Sequence, residues 1–124
     1  MKNKRDFWYQ DKIVHGGGGG RTIGFPTINL NQKPFINYLK EGVYSAKVKY
    51  LSKVYLGTLY FGPRLINKET KPILEIHILD FDKDIYGETV EFKIGQYIRE
   101  VKKFESLESL KRQIKKDVEK IRSL

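Results

Sequence analysis

The chain has no cysteine, one methionine, one tryptophan and two histidines among its 124 residues. The absence of cysteine excludes a disulfide framework, a thiolate metal centre and a thiol nucleophile. His15 and His77 alone do not make a histidine-based metal cluster. No apolar run approaches the roughly 20 residues of a membrane-spanning helix, and the N-terminus lacks an apolar signal core. A soluble cytoplasmic protein is the resulting expectation. Acidic residues are scarce too, 15 against 24 Lys and Arg, for a formal charge of +9. That excess favours an anionic partner, either nucleic acid or a phosphorylated small molecule. Aromatic residues, at 13%, are too frequent for a disordered basic tail. The length fits one domain, residues 1–124, able to bury roughly two-thirds of its unfolded surface.

What is present is concentrated between His15 and Leu30, HGGGGGRTIGFPTINL. Glycines let backbone N–H groups approach an anion closely, and successive N–H groups can form an anion-binding nest. No Gly-Lys-Ser/Thr follows, so this is not a Walker A loop, and a flexible segment is the competing reading. Pro26 biases Phe25 toward extended geometry, which predicts a strand entering there. On a strand, Thr27 and Asn29 share a face. A hydroxyl and an amide carbonyl are hard oxygen donors of the kind Mg²⁺ prefers. Together these residues suggest a site for a nucleotide phosphate and a metal.

The remaining pattern is mostly β. Phe7 to Val14 reads as a first strand, and Met1 to Arg5 as a frayed basic start. Gly42 to Tyr50 alternates, with Tyr44, Ala46, Val48 and Tyr50 on one face and Ser45, Lys47 and Lys49 on the other. Val54 to Phe61 is a second run, stopped by Gly62-Pro63. Asn67 to Pro72 is turn material, Leu74 to Phe81 a strand, Asp82-Lys83-Asp84 a turn, and Thr89 to Ile94 a strand. Strands without intervening helices predict an antiparallel barrel or sandwich. The tail differs. Leu107, Leu110, Ile114, Val118 and Ile121 recur at helical spacing behind Ser106, a plausible N-cap, with Glu108 in the first turn. Lys111, Arg112, Lys115 and Lys116 form the solvated face of that helix.

In LEIHILDF, Leu74, Ile76 and Ile78 occupy one face, while Glu75 and His77 share the other with Leu79 and Phe81. Glu75 is a candidate general base for a substrate hydroxyl. The competing reading is an exposed glutamate paired with a lysine across the sheet. His77 reads more readily as a hydrogen-bonded structural group than as a base or ligand.

Three blocks in order, HGGGGGRTIGFPTINL, LEIHILDFDKDIYGETVEF and YIREVKKFESLESLKRQIKKDVE, together resemble the riboflavin kinase (flavokinase) family. The likeness covers most of residues 13–120 and is to the kinase module of bacterial bifunctional FAD synthetases, here in single-domain form. The resemblance implies a six-stranded antiparallel Greek-key barrel with a C-terminal α-helix beside it. It implies transfer of the γ-phosphoryl group of ATP, with Mg²⁺, to the ribityl 5′-hydroxyl of riboflavin, giving FMN and ADP. Glu75 falls on the family's catalytic carboxylate, and Thr27 and Asn29 on its Mg²⁺ and phosphate ligands. Gly16, Arg21 and Tyr86 fall beside the nucleotide, and Arg99, Lys102 and Phe104 beside the flavin. Riboflavin or FMN and ATP or ADP are then the partners, without nucleic acid or membrane, and the chain is expected to act as a monomer. Two departures stand out. Gly16 to Gly20 carry no side chains, which predicts looser ATP binding with Arg21 as the loop's only charge, and Ile28 replaces the usual alanine. The chain has no room for an FMN adenylyltransferase domain and is expected to stop at FMN. The alternatives are a basic barrel stacking single-stranded nucleic acid on Tyr44, Tyr50, Tyr55 and Tyr60, or a non-catalytic flavin-binding module.

Overall fold

A computed structural model describes residues 7–14, 24–63 and 71–124. The expectations for Met1 to Arg5, for the glycine loop with Gly16 and Arg21, and for residues 67–70 lie outside these. The elements in chain order are β1 (Tyr9–Lys12), β2 (Ile28–Leu30), a 3₁₀ turn (Lys33–Phe35), β3 (Gly42–Tyr50), β4 (Lys53–Pro63), β5 (Pro72–Ile78), β6 (Thr89–Arg99) and helix α1 (Leu107–Arg122).

The six strands form one antiparallel sheet in the order β1-β6-β3-β4-β5-β2. Strands β3, β4 and β5 run as a meander and β6 returns beside β3, which is the Greek-key arrangement. The two sheet edges meet where Val14, just past β1, donates its N–H to the Asn29 carbonyl on β2 at 2.9 Å. That contact nearly closes the barrel.

Alternation dictates the interior. Tyr44, Ala46, Val48 and Tyr50 of β3, Leu74, Ile76 and Ile78 of β5, and Val90, Phe92 and Ile94 of β6 are all buried in one cluster. Each large apolar side chain so buried contributes about 1.5–3 kcal/mol. The 3₁₀ turn carries Phe35 into this cluster, 5.0 Å edge-on from Tyr9, and so closes one end. Tyr44 and Tyr50, two of the four tyrosines offered for base stacking, are core residues with no face left for a base.

Three strand limits differ from the sequence reading. β1 is shorter than Phe7 to Val14 because only residues 9–12 pair with β6. β5 stops at Ile78 rather than Phe81, since Asp80 turns with φ 58° and buried Leu79 leaves the alternation. β6 runs on to Arg99 rather than ending at Ile94. Its continuation needs Gly95: a Cβ there would lie 2.4 Å from the Ser45 hydroxyl, the group that accepts the Gln96 N–H at 2.8 Å. The pairing shifts register between Val43 and Ala46 at this bulge.

Helix α1 begins as its sequence dictates. Ser106 caps it, accepting from the Ser109 N–H at 3.1 Å, with Glu108 in the first turn. Ile121 is fully buried, Leu110, Ile114 and Val118 are half-buried, and the helix lies along β4. Leu107 stays half exposed. Arg112, Lys115 and Lys116 face solvent, and Lys111 is half-buried.

Candidate active site

Alternation on β5 that sends Leu74, Ile76 and Ile78 inward leaves Glu75 and His77 on the outer face, both half-buried. Directly across from Glu75 stand Tyr60 on β4 and Asn29 on β2. Neither of these directly opposed residues is a lysine. Antiparallel partners in register point to the same side, so the Asn29 amide lies beside the carboxylate. Thr27, two residues earlier, donates its hydroxyl to Glu75 Oε2 at 3.1 Å. Residues 48 apart in sequence are thus joined by one hydrogen bond.

Tyr60 adds a neutral donor to this neighbourhood. Its hydroxyl donates to the Pro63 carbonyl at 2.5 Å. Burial, and after it the negative charges of Glu75 and Glu41, push the phenol well above its usual range, so it stays protonated. On the other side of Thr27, His77 Nδ1 contacts the Pro26 carbonyl at 2.9 Å, and its ring meets Phe25 edge-on at 5.3 Å.

A cavity of about 410 Å³ opens next to this group, lined among others by Val14, Thr27, Asn29, Phe81, Lys83 and Tyr86. That volume lies in the range of small-molecule sites. Tyr86, which the family resemblance puts beside the nucleotide, shares a cavity with Thr27 and Asn29 and is about half exposed. Arg99, Lys102 and Phe104 sit apart from it, on the end of β6 and the segment beyond. Lys102 is exposed and Phe104 half-buried. The Arg99 guanidinium is engaged: Nε and one terminal nitrogen each donate to the Asp117 carboxylate at 2.9 Å, and the other terminal nitrogen donates to the Glu100 carbonyl at 3.0 Å. It also stands 5.9 Å from the Phe104 ring. Gly16 and Arg21 lie outside the described residues.

Asp117 was missed by the sequence reading. It is 3% exposed, and it also accepts from the Gln113 amide at 3.0 Å. A signal existed, because Ile114, Asp117, Val118 and Ile121 share the apolar stripe of α1, and a charge on such a stripe needs a buried partner. Tyr60 was read only as an aromatic, although it alternates onto the face opposite Leu59 and Phe61.

The donor set suits a hard cation. A threonine hydroxyl that gives its proton to Glu75 keeps its lone pairs available, and the asparagine amide offers a second oxygen. Among the described residues no group of three or more His, Asp or Glu could hold a metal unaided. Mg²⁺ is commonly bound by one or two protein groups plus substrate phosphates, so these residues fit it.

Comparison with known proteins agrees with this fold. A family model described as riboflavin kinase matches residues 3–124. A bifunctional riboflavin kinase/FMN adenylyltransferase of Haemophilus influenzae is 41% identical over 109 residues, covering 87% of this chain and 35% of that protein. The chain thus spans about a third of that relative's length. Among solved structures, a riboflavin kinase from Trypanosoma brucei superposes with a TM-score of 0.65 at 26% identity, covering 94% of this chain and 77% of the other. A Streptococcus pneumoniae protein described as a macrolide-efflux protein superposes with a TM-score of 0.79 at 34% identity, over 94% of this chain and 38% of that one. Among the described residues, no helix is long and apolar enough to cross a membrane.

Proposed function

The chain belongs to the riboflavin kinase family, and from that premise we propose that it transfers the γ-phosphoryl group of ATP to the ribityl 5′-hydroxyl of riboflavin, releasing FMN and ADP. The observation that carries this reading is the 3.1 Å contact from Thr27 to Glu75, with Asn29 in register beside the same carboxylate. A proton acceptor and two hard oxygen donors are thereby held together on one face.

Glu75 takes the proton of the 5′-hydroxyl as its oxygen bonds to the γ-phosphorus and the bond to the departing ADP oxygen breaks. Such assistance is worth about 10²–10⁴-fold. Thr27 and Asn29 would hold Mg²⁺, which when bound neutralises charge on the phosphates. Phosphoryl transfer depends chiefly on such positioning and charge neutralisation. Tyr86, Gly16 and Arg21 serve the nucleotide. Arg99, Lys102 and Phe104 border the flavin. With its fork occupied by Asp117, Arg99 contributes there as a fixed wall beside Phe104 rather than as a charge offered to substrate. In this reading the protein is a cytoplasmic monomer whose product is FMN. The nucleic-acid barrel and the non-catalytic flavin module are not favoured, since neither gives Thr27, Asn29 and Glu75 a task.

The test is direct. Riboflavin, Mg²⁺ and each nucleoside triphosphate in turn are incubated with the protein, and FMN is sought by chromatography. FMN with ATP is expected; no FMN with any donor would reject the proposal.

A further inference from the structure

We infer that His77 is a positioning residue: it holds the Pro26 carbonyl and so fixes Thr27 against Glu75. The inference rests on the kinase reading above. Strand β2 is three residues long, and its pairing with β5 ends at Ile28 opposite Ile76. Thr27, whose hydroxyl has to be placed, lies one residue beyond that last pair. Pro26 before it has no N–H with which to extend the pairing.

A side chain from β5 supplies the missing tie. A carbonyl oxygen can only accept, so the hydrogen in the 2.9 Å contact sits on Nδ1 of His77. Both the Nδ1–H tautomer and the imidazolium offer that hydrogen, so the tie does not depend on the ring's charge. The ring also packs edge-on against Phe25, at an interplanar angle of 85°. Glu75 and His77 are two residues apart on one strand face. One rigid strand therefore grips the incoming segment twice, at the Thr27 hydroxyl and at the Pro26 carbonyl. Without the second grip, Thr27 could pivot about Ile28, and misplacement of about 1 Å can cost up to 10²-fold at a reacting centre.

The two contacts of His77 separate by substitution. His77→Phe keeps a ring beside Phe25 and removes the donor, with His77→Leu in reserve should the phenyl not be accommodated. His77→Asn puts an amide nitrogen where Nδ1 was and removes the ring. Initial rates with Mg·ATP and riboflavin varied in turn are combined with Mg·ADP titration calorimetry and thermal melts. His77→Phe is expected to raise KM for Mg·ATP, and Kd for Mg·ADP, roughly fivefold, the loss of one hydrogen bond. KM for riboflavin should stay within about twofold, and His77→Asn should recover most of the lost nucleotide affinity. Equal shifts in both KM values, an unchanged Mg·ATP KM in His77→Phe, or His77→Asn no better than His77→Phe would overturn the inference. A wild-type protein that makes no FMN would sink the kinase reading instead, and the Mg·ADP titrations would still decide the role of His77.

Discussion

Replacing Glu75 by glutamine tests the assignment of the base with little disturbance to what surrounds it. The Thr27 hydroxyl now donates to Glu75 Oε2 at 3.1 Å, and a glutamine amide oxygen in the same place can accept that hydrogen bond. Tyr60 already donates to Pro63 and needs nothing from the carboxylate. The tie to Thr27 should therefore survive, while the negative charge and the proton-accepting capacity vanish. General-base assistance of about 10²–10⁴-fold corresponds to about 3–5 kcal/mol of transition-state stabilisation. The expectation is a fall of that size in kcat, read as FMN formed under saturating riboflavin and Mg·ATP. Riboflavin affinity, followed by quenching of flavin fluorescence, should change little, and the melting temperature should hold. Glu75→Asp keeps the charge but withdraws it by about 1.5 Å, out of reach of Thr27, so it should lose activity as well. A folded Glu75→Gln protein with kcat within about tenfold of wild type would refute the reasoning, because an amide cannot take the proton.

Asp117→Ala should destabilise the fold by about 3–5 kcal/mol in urea titrations, since it leaves the Arg99 guanidinium without its buried partner; a loss below about 1 kcal/mol would show that the pair does not brace the helix. The exposed pair of Asp80 and Arg122 behaves differently: the arginine beside it holds the Asp80 carboxyl below its usual range. Stability from a depressed carboxyl is present in full above the unfolded value of about 4 and disappears as pH falls through the folded one. Melts of wild type and Asp80→Asn should thus differ slightly at pH 7 and converge near pH 2; a gap that widens with acid would contradict the sign. Gly95→Ala forces a methyl to within 2.4 Å of the Ser45 hydroxyl, and it should cost about 1–3 kcal/mol by overpacking, with neutrality in denaturant titration as the contrary result.

Legibility followed the range of the interaction. Period-two alternation put Leu74, Ile76 and Ile78 inside and Glu75 outside, because a strand's faces are fixed by the chain itself. The same logic gave the apolar stripe of α1 and its Ser106 cap, both decided within a few residues. It failed at Gly95, where a residue that looks like a strand end is the one small enough for β6 to pass Ser45. It also failed at Asp80, whose left-handed backbone has no marker as strong as glycine. What stood across from Glu75 was invisible for a different reason. Register between β2 and β5 is set by closure of the whole barrel, so the choice between Asn29 with Tyr60 and a lysine required the fold. Asp117 gave half a signal, a charge on an apolar stripe, and its partner Arg99 is 18 residues away on another element.

The position of the site follows from how β5 divides its labour. Its inward residues are locked in the core, Leu74 at 1% exposure and Ile76 at 0%, and Glu75 lies between them on the same backbone. A displacement of the carboxylate along the sheet would have to drag these two side chains through close-packed surroundings, which interiors resist. Thr27 has no such anchorage, because the pairing of β2 stops one residue short of it. On the proposed reading, a rigidly held Glu75 thus faces a Thr27 whose placement depends on side-chain ties. This asymmetry predicts where substitutions should act: changes around Leu74 and Ile76 should lower stability first, whereas changes at Pro26 and His77 should alter nucleotide kinetics in a protein that still folds.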